Sequence, residues 1–189
     1  ITDGLSGAVY TAEQDNLISN DVNAVQVFDG DLFVATPVGI SQFANNLFTD
    51  QNTGLGSPVV HDLTLDSAGN LLAGTEAGVY RWDPAGASWS LVGADTAPVL
   101  EISCADDLIY TRANAVRVYN GTSWQNLAKP AGTAGAIYAG DDFWLGGQVS
   151  LNAGPEFVVL SAYVARLSGT TSFDKFELPA SQILGASGV

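Results

Sequence analysis

The chain of 189 residues is poor in several residue types: it has one cysteine, one histidine and no methionine. Because Cys104 stands alone, the chain can form neither an intrachain disulfide nor a cysteine-based zinc site, and we expect it to be an inert core residue. Only 6 residues are lysine or arginine against 20 acids, giving a formal net charge of −14. Because neutralising phosphate needs basic side chains, this composition argues against nucleic acid and anionic lipid as partners.

Long apolar runs and helical periodicity are also missing from the sequence. Apolar stretches are short and broken by polar residues or glycine, so we expect no membrane insertion. No window places apolar residues at i, i+3, i+4 and i+7 over a useful length. Instead, 47% of the residues are hydrophobic and 21 are glycine. With frequent β-branched and aromatic residues, this composition predicts an all-β fold with many tight turns.

One short sequence unit recurs every 35 to 39 residues. Its clearest copies are DLFVAT at 31–36 and NLLAGT at 70–75, and weaker copies are DLIYTR at 107–112 and DFWLGG at 142–147. A fixed period of this size indicates a repeat architecture, in which each unit buries its faces against its neighbours.

Each repeat is predicted to contain four short strands. The first strands are expected at 22–28, 59–65, 99–105 and 134–139, and the recurring unit forms the second strand. Four antiparallel strands in about 40 residues are typical of a β-propeller blade. The sequence therefore predicts an all-β propeller with blades at about 21–57, 58–97, 98–130 and 131–180.

The two ends and one insertion extend this prediction. Residues 1–20 are expected to end an earlier blade, with two strands between 7 and 18, and residues 181–189 to begin another. The ring then has five blades if it closes on itself, or the chain is part of a six- to eight-bladed ring; we prefer the second, because a mixed blade would lack its second strand. An insertion at 148–161, which carries Asn152 and Pro155, predicts either a longer hairpin or a loop that contacts a partner.

Residues 54–83 resemble the two-component-regulator propeller repeat of sensor ectodomains and bacterial secreted proteins. The resemblance implies a non-catalytic sensing, binding or scaffolding propeller, usually outside the cytoplasm, and it names no ligand. A second stretch, Asn120 to Trp124, looks like the Asp-box turn of sialidase-type propellers, which also occurs in propellers without activity. The motif residues of the first resemblance are Gly54-Leu55, Gly69-Asn70-Leu71, Gly74-Thr75, Gly78-Val79-Tyr80 and Trp82-Asp83.

His61, Asp62 and Glu101 are the candidate site residues of the first strands, which line the channel of a propeller. They could act as metal ligands or as a general acid–base pair. Alternatively, the histidine packs between blades beside solvated carboxylates. We expect no cofactor, although paired turn acids leave calcium open as an alternative to simple turn formation. These pairs are Asp29 with Asp31, Asp106 with Asp107, and Asp141 with Asp142.

Two further pairs of residues are predicted to recur between blades. Trp89 and Trp124 each begin an outer strand, so they either pack between blades or provide a surface for sugar stacking. Arg81 and Arg117 are interpreted as matching positions of third strands in successive blades, and therefore as a feature of the repeat rather than a site.

Two functions follow from the sequence. The first is a non-catalytic propeller, extracellular or periplasmic, that binds protein or glycan partners or assembles with itself. The alternative is a propeller-type glycan hydrolase or lyase with its site at the channel mouth near His61, Asp62 and Glu101. We prefer the first function because no nucleophile motif accompanies these side chains.

Overall fold

The computed structural model describes residues 8–127, 133–139, 143–152, 158–168 and 172–177. Within these residues the chain forms one short helix, α1 (Ala12–Asp15), and sixteen strands in four antiparallel sheets. Each sheet is a meander of four consecutive strands, called blades 1 to 4 in chain order. Blade 1 comprises β1 (Ala24–Phe28), β2 (Asp31–Thr36), β3 (Gly39–Ala44) and β4 (Leu47–Asp50), and blade 2 comprises β5 (Val60–Leu65), β6 (Leu71–Thr75), β7 (Gly78–Asp83) and β8 (Ser88–Leu91).

The first strand of each blade contacts the first strand of the next, so β1, β5, β9 and β13 follow one another along the inner side of the array. The later strands of each blade lie successively farther out. The prediction of four four-stranded blades is confirmed. Blade 3 comprises β9 (Glu101–Ala105), β10 (Leu108–Arg112), β11 (Val116–Tyr119) and β12 (Trp124–Asn126), and blade 4 comprises β13 (Thr133–Ala139), β14 (Phe143–Asn152), β15 (Val158–Ser168) and β16 (Ser172–Glu177).

The hydrophobic core lies between blades. Because side chains alternate along a strand, Leu71 of β6 packs towards blade 1 and Leu72 packs towards blade 3, and both are fully buried. Ile109 and Tyr110 of β10 divide in the same way between the two neighbours of blade 3. The second strand of a blade therefore buries residues on both faces, which explains its continuous apolar run.

A buried threonine closes the turn between the second and third strands. Thr75 Oγ1 donates a hydrogen bond to the carbonyl oxygen of Gly78 at 2.9 Å and accepts one from the Ala77 N–H at 3.0 Å. Thr36 Oγ1 donates to Gly39 at 2.8 Å in the same way in blade 1. At Gly78 the backbone has φ = +110°, and a Cβ there would lie 2.5 Å from the carbonyl oxygen of Asp95. The Gly-Thr and Gly-Val motifs are thus turn and packing residues.

The prediction of two strands between residues 7 and 18 is wrong for the described residues. From 8 to 23 the structure has α1 and no strand. Asp15 folds back on Thr11, whose N–H donates to Asp15 Oδ2 at 2.8 Å, and Asn16 ends the helix with φ = +60°. Leu17 nevertheless packs against the outer face of blade 1 beside Val34. The segment therefore contacts the sheet through Leu17 without forming a strand, while Val9 and Tyr10 stay exposed.

The insertion in blade 4 lengthens a hairpin, as predicted. The long strands β14 and β15 pair continuously from Trp144 with Arg166 to Asn152 with Val158. Pro155 lies outside the described residues, as does the predicted beginning of a further blade at 181–189. The blade boundaries and the number of blades in a complete ring therefore stay predictions. Among the described residues, no helix combines the length and hydropathy needed to cross a bilayer.

Candidate functional site

His61 lies near the start of β5 and faces the turn that follows β6. Its Nε2 atom is 2.7 Å from Oε1 of Glu76, and the side chains are 23% and 44% exposed. Both belong to blade 2, because β5 and β6 are antiparallel neighbours and the end of one lies beside the start of the other. The histidine is thus paired within its own blade at the rim of the inner strands.

Asp62 connects blade 2 to blade 3. Its Oδ2 atom accepts a hydrogen bond from the Ile102 N–H at 3.0 Å, and its Oδ1 atom accepts one from the Leu63 N–H at 2.9 Å. The strand register shifts between Val60 and Asp62, and such a bulge redirects a side chain at the edge of a sheet. Burial raises the pKa of Asp62, and this effect outweighs the two backbone hydrogen bonds that favour the anion.

Glu101 makes the corresponding connection one blade further on. Its Oε2 atom accepts a hydrogen bond from the Ile137 N–H of β13 at 3.1 Å and one from Arg112 Nε at 2.7 Å. In blade 1, the side-chain amide of Asn23 donates to the Val60 carbonyl oxygen at 2.7 Å. A polar side chain at or just before the inner strand therefore bonds to the backbone of the following blade at three successive junctions.

Of the site residues predicted from the sequence, the structure brings Asp62 and Glu101 close enough to interact. Asp62 and Glu101 interact electrostatically, and the charge of Glu101 contributes to the raised pKa of Asp62. His61 instead pairs with Glu76. Asn152 is placed at the end of β14, at the far end of the long hairpin, and Pro155 lies outside the described residues. The role of these five residues in binding stays a prediction.

Three turn acids have defined places in the structure. Asp29 and Asp106 adopt left-handed φ values of +52° and +50°, as turn formation requires. Asp31 accepts a hydrogen bond from Gln42 Nε2 at 2.7 Å. No group of three or more histidine, cysteine or acidic side chains in the described part of the chain is placed to hold a metal ion. Asp141 and Asp142 lie outside that part, and calcium binding stays an open prediction.

Sequence reasoning did not identify Arg112 as a partner of Glu101. Strand pairing identifies the partner: Arg112 faces Glu101 in blade 3, as Gly74 faces Asp62 in blade 2. An arginine that is largely buried needs a negative partner, and Glu101 on the neighbouring strand provides it.

The interpretation of Arg81 and Arg117 as matching positions is wrong. Arg81 is exposed and pairs with Ser90, whereas Arg117 is buried and pairs with Asn126. Arg117 forms an ion pair with Asp95 in the loop between blades 2 and 3, and its guanidinium lies 5.4 Å from the Trp124 ring. Arg81 stands one residue before Trp82, which pairs with Trp89, whereas Arg117 stands two residues before Tyr119, which pairs with Trp124. Because side chains alternate along a strand, the two arginines lie on opposite faces of their blades.

Trp89 and Trp124 connect blades through their indole N–H groups. Trp89 Nε1 donates to the Gln51 carbonyl oxygen at 2.7 Å, and Trp124 Nε1 donates to the Val92 carbonyl oxygen at 3.0 Å. Each acceptor directly follows the outer strand of the preceding blade. The predicted packing between blades is confirmed for both residues, and the hydrogen bond is an addition that the sequence did not reveal.

The architecture just described is that of a β-propeller. No protein-family model and no curated protein matches this sequence. Solved structures match it at low sequence identity, which shows the fold alone. The resemblance noted for residues 54–83 is confirmed at that level, because an extracellular domain of a two-component system is among the matching propellers.

Three solved structures illustrate the similarity. The extracellular domain of a hybrid two-component system from B. thetaiotaomicron is 14% identical, with a TM-score of 0.59 over 82% of this chain and 22% of its own. Virginiamycin B lyase from Staphylococcus aureus is 11% identical, with a TM-score of 0.58 over 82% of this chain and 55% of its own. PorZ, a surface component of the type-IX secretion system of Porphyromonas gingivalis, is 14% identical, with a TM-score of 0.50 over 83% of this chain and 27% of its own. The chain thus spans between about a fifth and just over half of these proteins.

Proposed function

We propose that the chain is a non-catalytic binding or scaffold module that acts outside the cytoplasm on a protein or glycan partner. The observation that carries this proposal is that the carboxylates of Asp62 and Glu101 are used in contacts between blades. Each accepts a backbone hydrogen bond from the next blade, so the two acids that most resemble a catalytic pair serve to hold the blades together. A sensor's extracellular domain and a bacterial surface component share the fold, which supports this function.

The proposed mechanism is rigid display of loops. Blades that are bonded to each other at their inner strands and again at Trp89 and Trp124 hold the connecting turns at fixed positions. Binding residues on such turns lose little conformational freedom when a partner docks, which favours affinity. Because the net charge is −14, neutral or basic partners are favoured over anionic ones.

A glycan hydrolase or lyase is the second candidate function. The raised pKa of Asp62 favours it, because a carboxyl group that stays protonated at higher pH can serve as a general acid. In this alternative, Asp62 donates a proton to the leaving group at the rim of the inner strands, and the carboxylate of Glu101 serves as the base beside it. One structural neighbour is named as a lyase, which shows that the fold also occurs in an enzyme.

An activity screen with matched variants separates the two functions. The purified chain is incubated with neutral and acidic polysaccharides, and new reducing ends and unsaturated products are measured; a glycan array measures binding in parallel. We expect binding without product. The variants are His61→Ala and Asp62→Asn, and Asp15→Asn serves as a control in helix α1, far from the rim in sequence. Product formation that disappears in both rim variants and persists in the control would establish the enzyme and overturn our proposal.

A further inference from the structure

Two open clefts lie at the junction of blades 2 and 3 and share Asp95, which forms the ion pair with Arg117; together we call them the groove. One part has a volume of about 470 Å³ and the other about 360 Å³, and Asp95 borders both. Single ligand sites usually measure several hundred Å³, so each part accommodates about one or two sugar rings. The larger part is lined by Gly93, Asp95, Thr96, Tyr119, Ser123 and Trp124, among others.

The tryptophans of the first two junctions differ in how far they are buried. Trp89 is only 3% exposed, and Leu55 of the preceding loop packs against the core cluster that contains it. Trp124 is only partly buried, and the exposed Thr96 of the preceding loop lines the cleft beside it. The second junction is therefore open next to its tryptophan.

The lining of the larger part combines an aromatic surface with hydroxyl and carboxylate groups. The rings of Tyr119 and Trp124 lie 5.1 Å apart, tilted by 40°. Thr96 and Ser123 are exposed at the rim, and Asp95 supplies carboxylate oxygens. Aromatic rings contact the C–H faces of sugars, while carboxylate and hydroxyl groups bond to sugar hydroxyls; a polar groove with an aromatic wall therefore suits a carbohydrate.

The charges around the groove favour an uncharged sugar. Arg117 is the basic residue of the groove, and Asp95 and the Ala97 carbonyl oxygen already engage its guanidinium group. An acidic sugar would meet Asp95 and a chain of net charge −14 with no uncommitted cation in the lining. The carboxylate of Asp95 can instead accept hydrogen bonds from neutral hydroxyls with its remaining lone pairs.

We propose that this groove binds a neutral oligosaccharide, with Tyr119 and the part of the Trp124 ring that Arg117 does not cover against its ring faces, and with Asp95, Thr96 and Ser123 bonded to its hydroxyls. The proposal goes beyond the general binding function above, because it assigns a site away from the inner rim and a class of ligand. Two neighbouring clefts that share Asp95 fit a chain of several sugars better than a monosaccharide.

The test is isothermal titration of the chain with cellohexaose, xylohexaose and mannohexaose. We expect at least one to bind, and we expect Thr96→Leu to raise its Kd about tenfold or more, because the larger apolar side chain narrows the cleft and removes a hydroxyl. Ser123→Arg, which changes another residue of the same lining, should also weaken binding of that ligand. The matched control is Thr53→Leu, an exposed threonine in the loop of the first junction, which should leave the Kd unchanged. Equal melting temperatures of the four proteins show that each is folded.

Three results would overturn the proposal. The first is that none of the three hexasaccharides binds, and the second is that one binds equally well to the native chain, Thr96→Leu and Ser123→Arg. The third is that decaproline, a probe for peptide binding to aromatic grooves, binds in their place. None of these three results contradicts the binding or scaffold function proposed above. That function is contradicted only by product formation in the activity screen.

Discussion

At the scale of the residue, the buried hydroxyl of Thr75 replaces missing backbone partners in a tight turn. The Oγ1 atom donates to the carbonyl oxygen of Gly78 and accepts from the N–H of Ala77, at a position that solvent does not reach. An unpaired buried polar group is costly, so a threonine in this place is favoured over valine, which has the same shape.

We therefore expect Thr75→Val to destabilise the fold. The variant leaves one donor and one acceptor without a partner, and we expect the free energy of unfolding to fall by about 1–3 kcal/mol. Urea unfolding measures this change. The control, Thr53→Val at an exposed site, should change it little. Equal stability of both variants would mean that the turn does not depend on the hydroxyl.

Asp62 should make the stability depend on pH. Burial raises its pKa in the folded chain above the unfolded value of about 3.9, so ionisation favours unfolding. The contribution of Asp62 to the free energy of unfolding is fully present below its pKa in the unfolded chain. It is lost as the pH rises through the pKa of Asp62 in the folded chain. Asp62→Asn cannot ionise but keeps an acceptor for the Ile102 N–H, so its melting temperature should fall less over this range.

Asp95 provides a control for that experiment, because its pKa is shifted in the opposite direction. Although burial alone would raise its pKa, the Ala97 N–H and the Arg117 guanidinium together lower it. Its contribution is therefore present above the unfolded value and is lost as the pH falls through the folded pKa. Asp95→Asn should flatten the acid side of the stability curve. If Asp62→Asn and Asp95→Asn change the curve in the same direction, the environment of Asp62 has been misjudged.

At the scale of the element, neighbouring blades are joined at two places. Carboxylates at the inner strands bond to the next blade, and indole N–H groups at the outer strands bond to the preceding one. Between these connections lies an apolar cluster. The first two junctions therefore have directional bonds at both edges, from Asn23 or Asp62 at the inner strands and from Trp89 or Trp124 at the outer ones, and a non-directional core between them. Together these contacts fix the relative position of two sheets.

Removing the indole N–H should have unequal effects at the two junctions. We expect Trp89→Phe to lower the free energy of unfolding by about 1–3 kcal/mol, because the Trp89 side chain is only 3% exposed and loses its hydrogen bond to the Gln51 carbonyl oxygen. Trp124→Phe should cost less, because the Trp124 side chain is only partly buried and borders the open groove. Urea unfolding of both variants gives the order, and a larger loss for Trp124→Phe would contradict this view of the groove.

The elements themselves were largely predictable from the sequence, because alternating apolar residues and Gly, Asp or Asn turns are local signals. The predicted start of the first inner strand, residue 22, precedes the observed start at Ala24 by two residues, although the Asn23 N–H still bonds to the Ala35 carbonyl oxygen of β2. The partner of His61 was not predictable, because Glu76 belongs to a turn and is brought to the histidine only by strand pairing. The groove was equally hidden, since the exposure of Thr96 and Trp124 depends on how the two blades pack.

At the scale of the whole molecule, the excess of acids should oppose the compact state. A formal charge of −14 produces repulsion among surface carboxylates, and dissolved salt screens it. We expect the melting temperature to rise with sodium chloride and to level off towards about 1 M, where the Debye length is about 3 Å. Differential scanning calorimetry measures the rise. A falling melting temperature would mean that ion pairs such as the one between Glu101 and Arg112 outweigh the repulsion.

The clusters between blades are built from neighbouring parts of the sequence, and this has a consequence for synthesis. The cluster between blades 1 and 2 is complete once Leu91 is present, and the one between blades 2 and 3 once Trp124 is present. Each new blade can therefore dock on a finished surface while the ribosome is still translating the next, because no interface waits for a distant residue. Along blades 1 to 3, the growing chain can fold vectorially, one blade behind the ribosome.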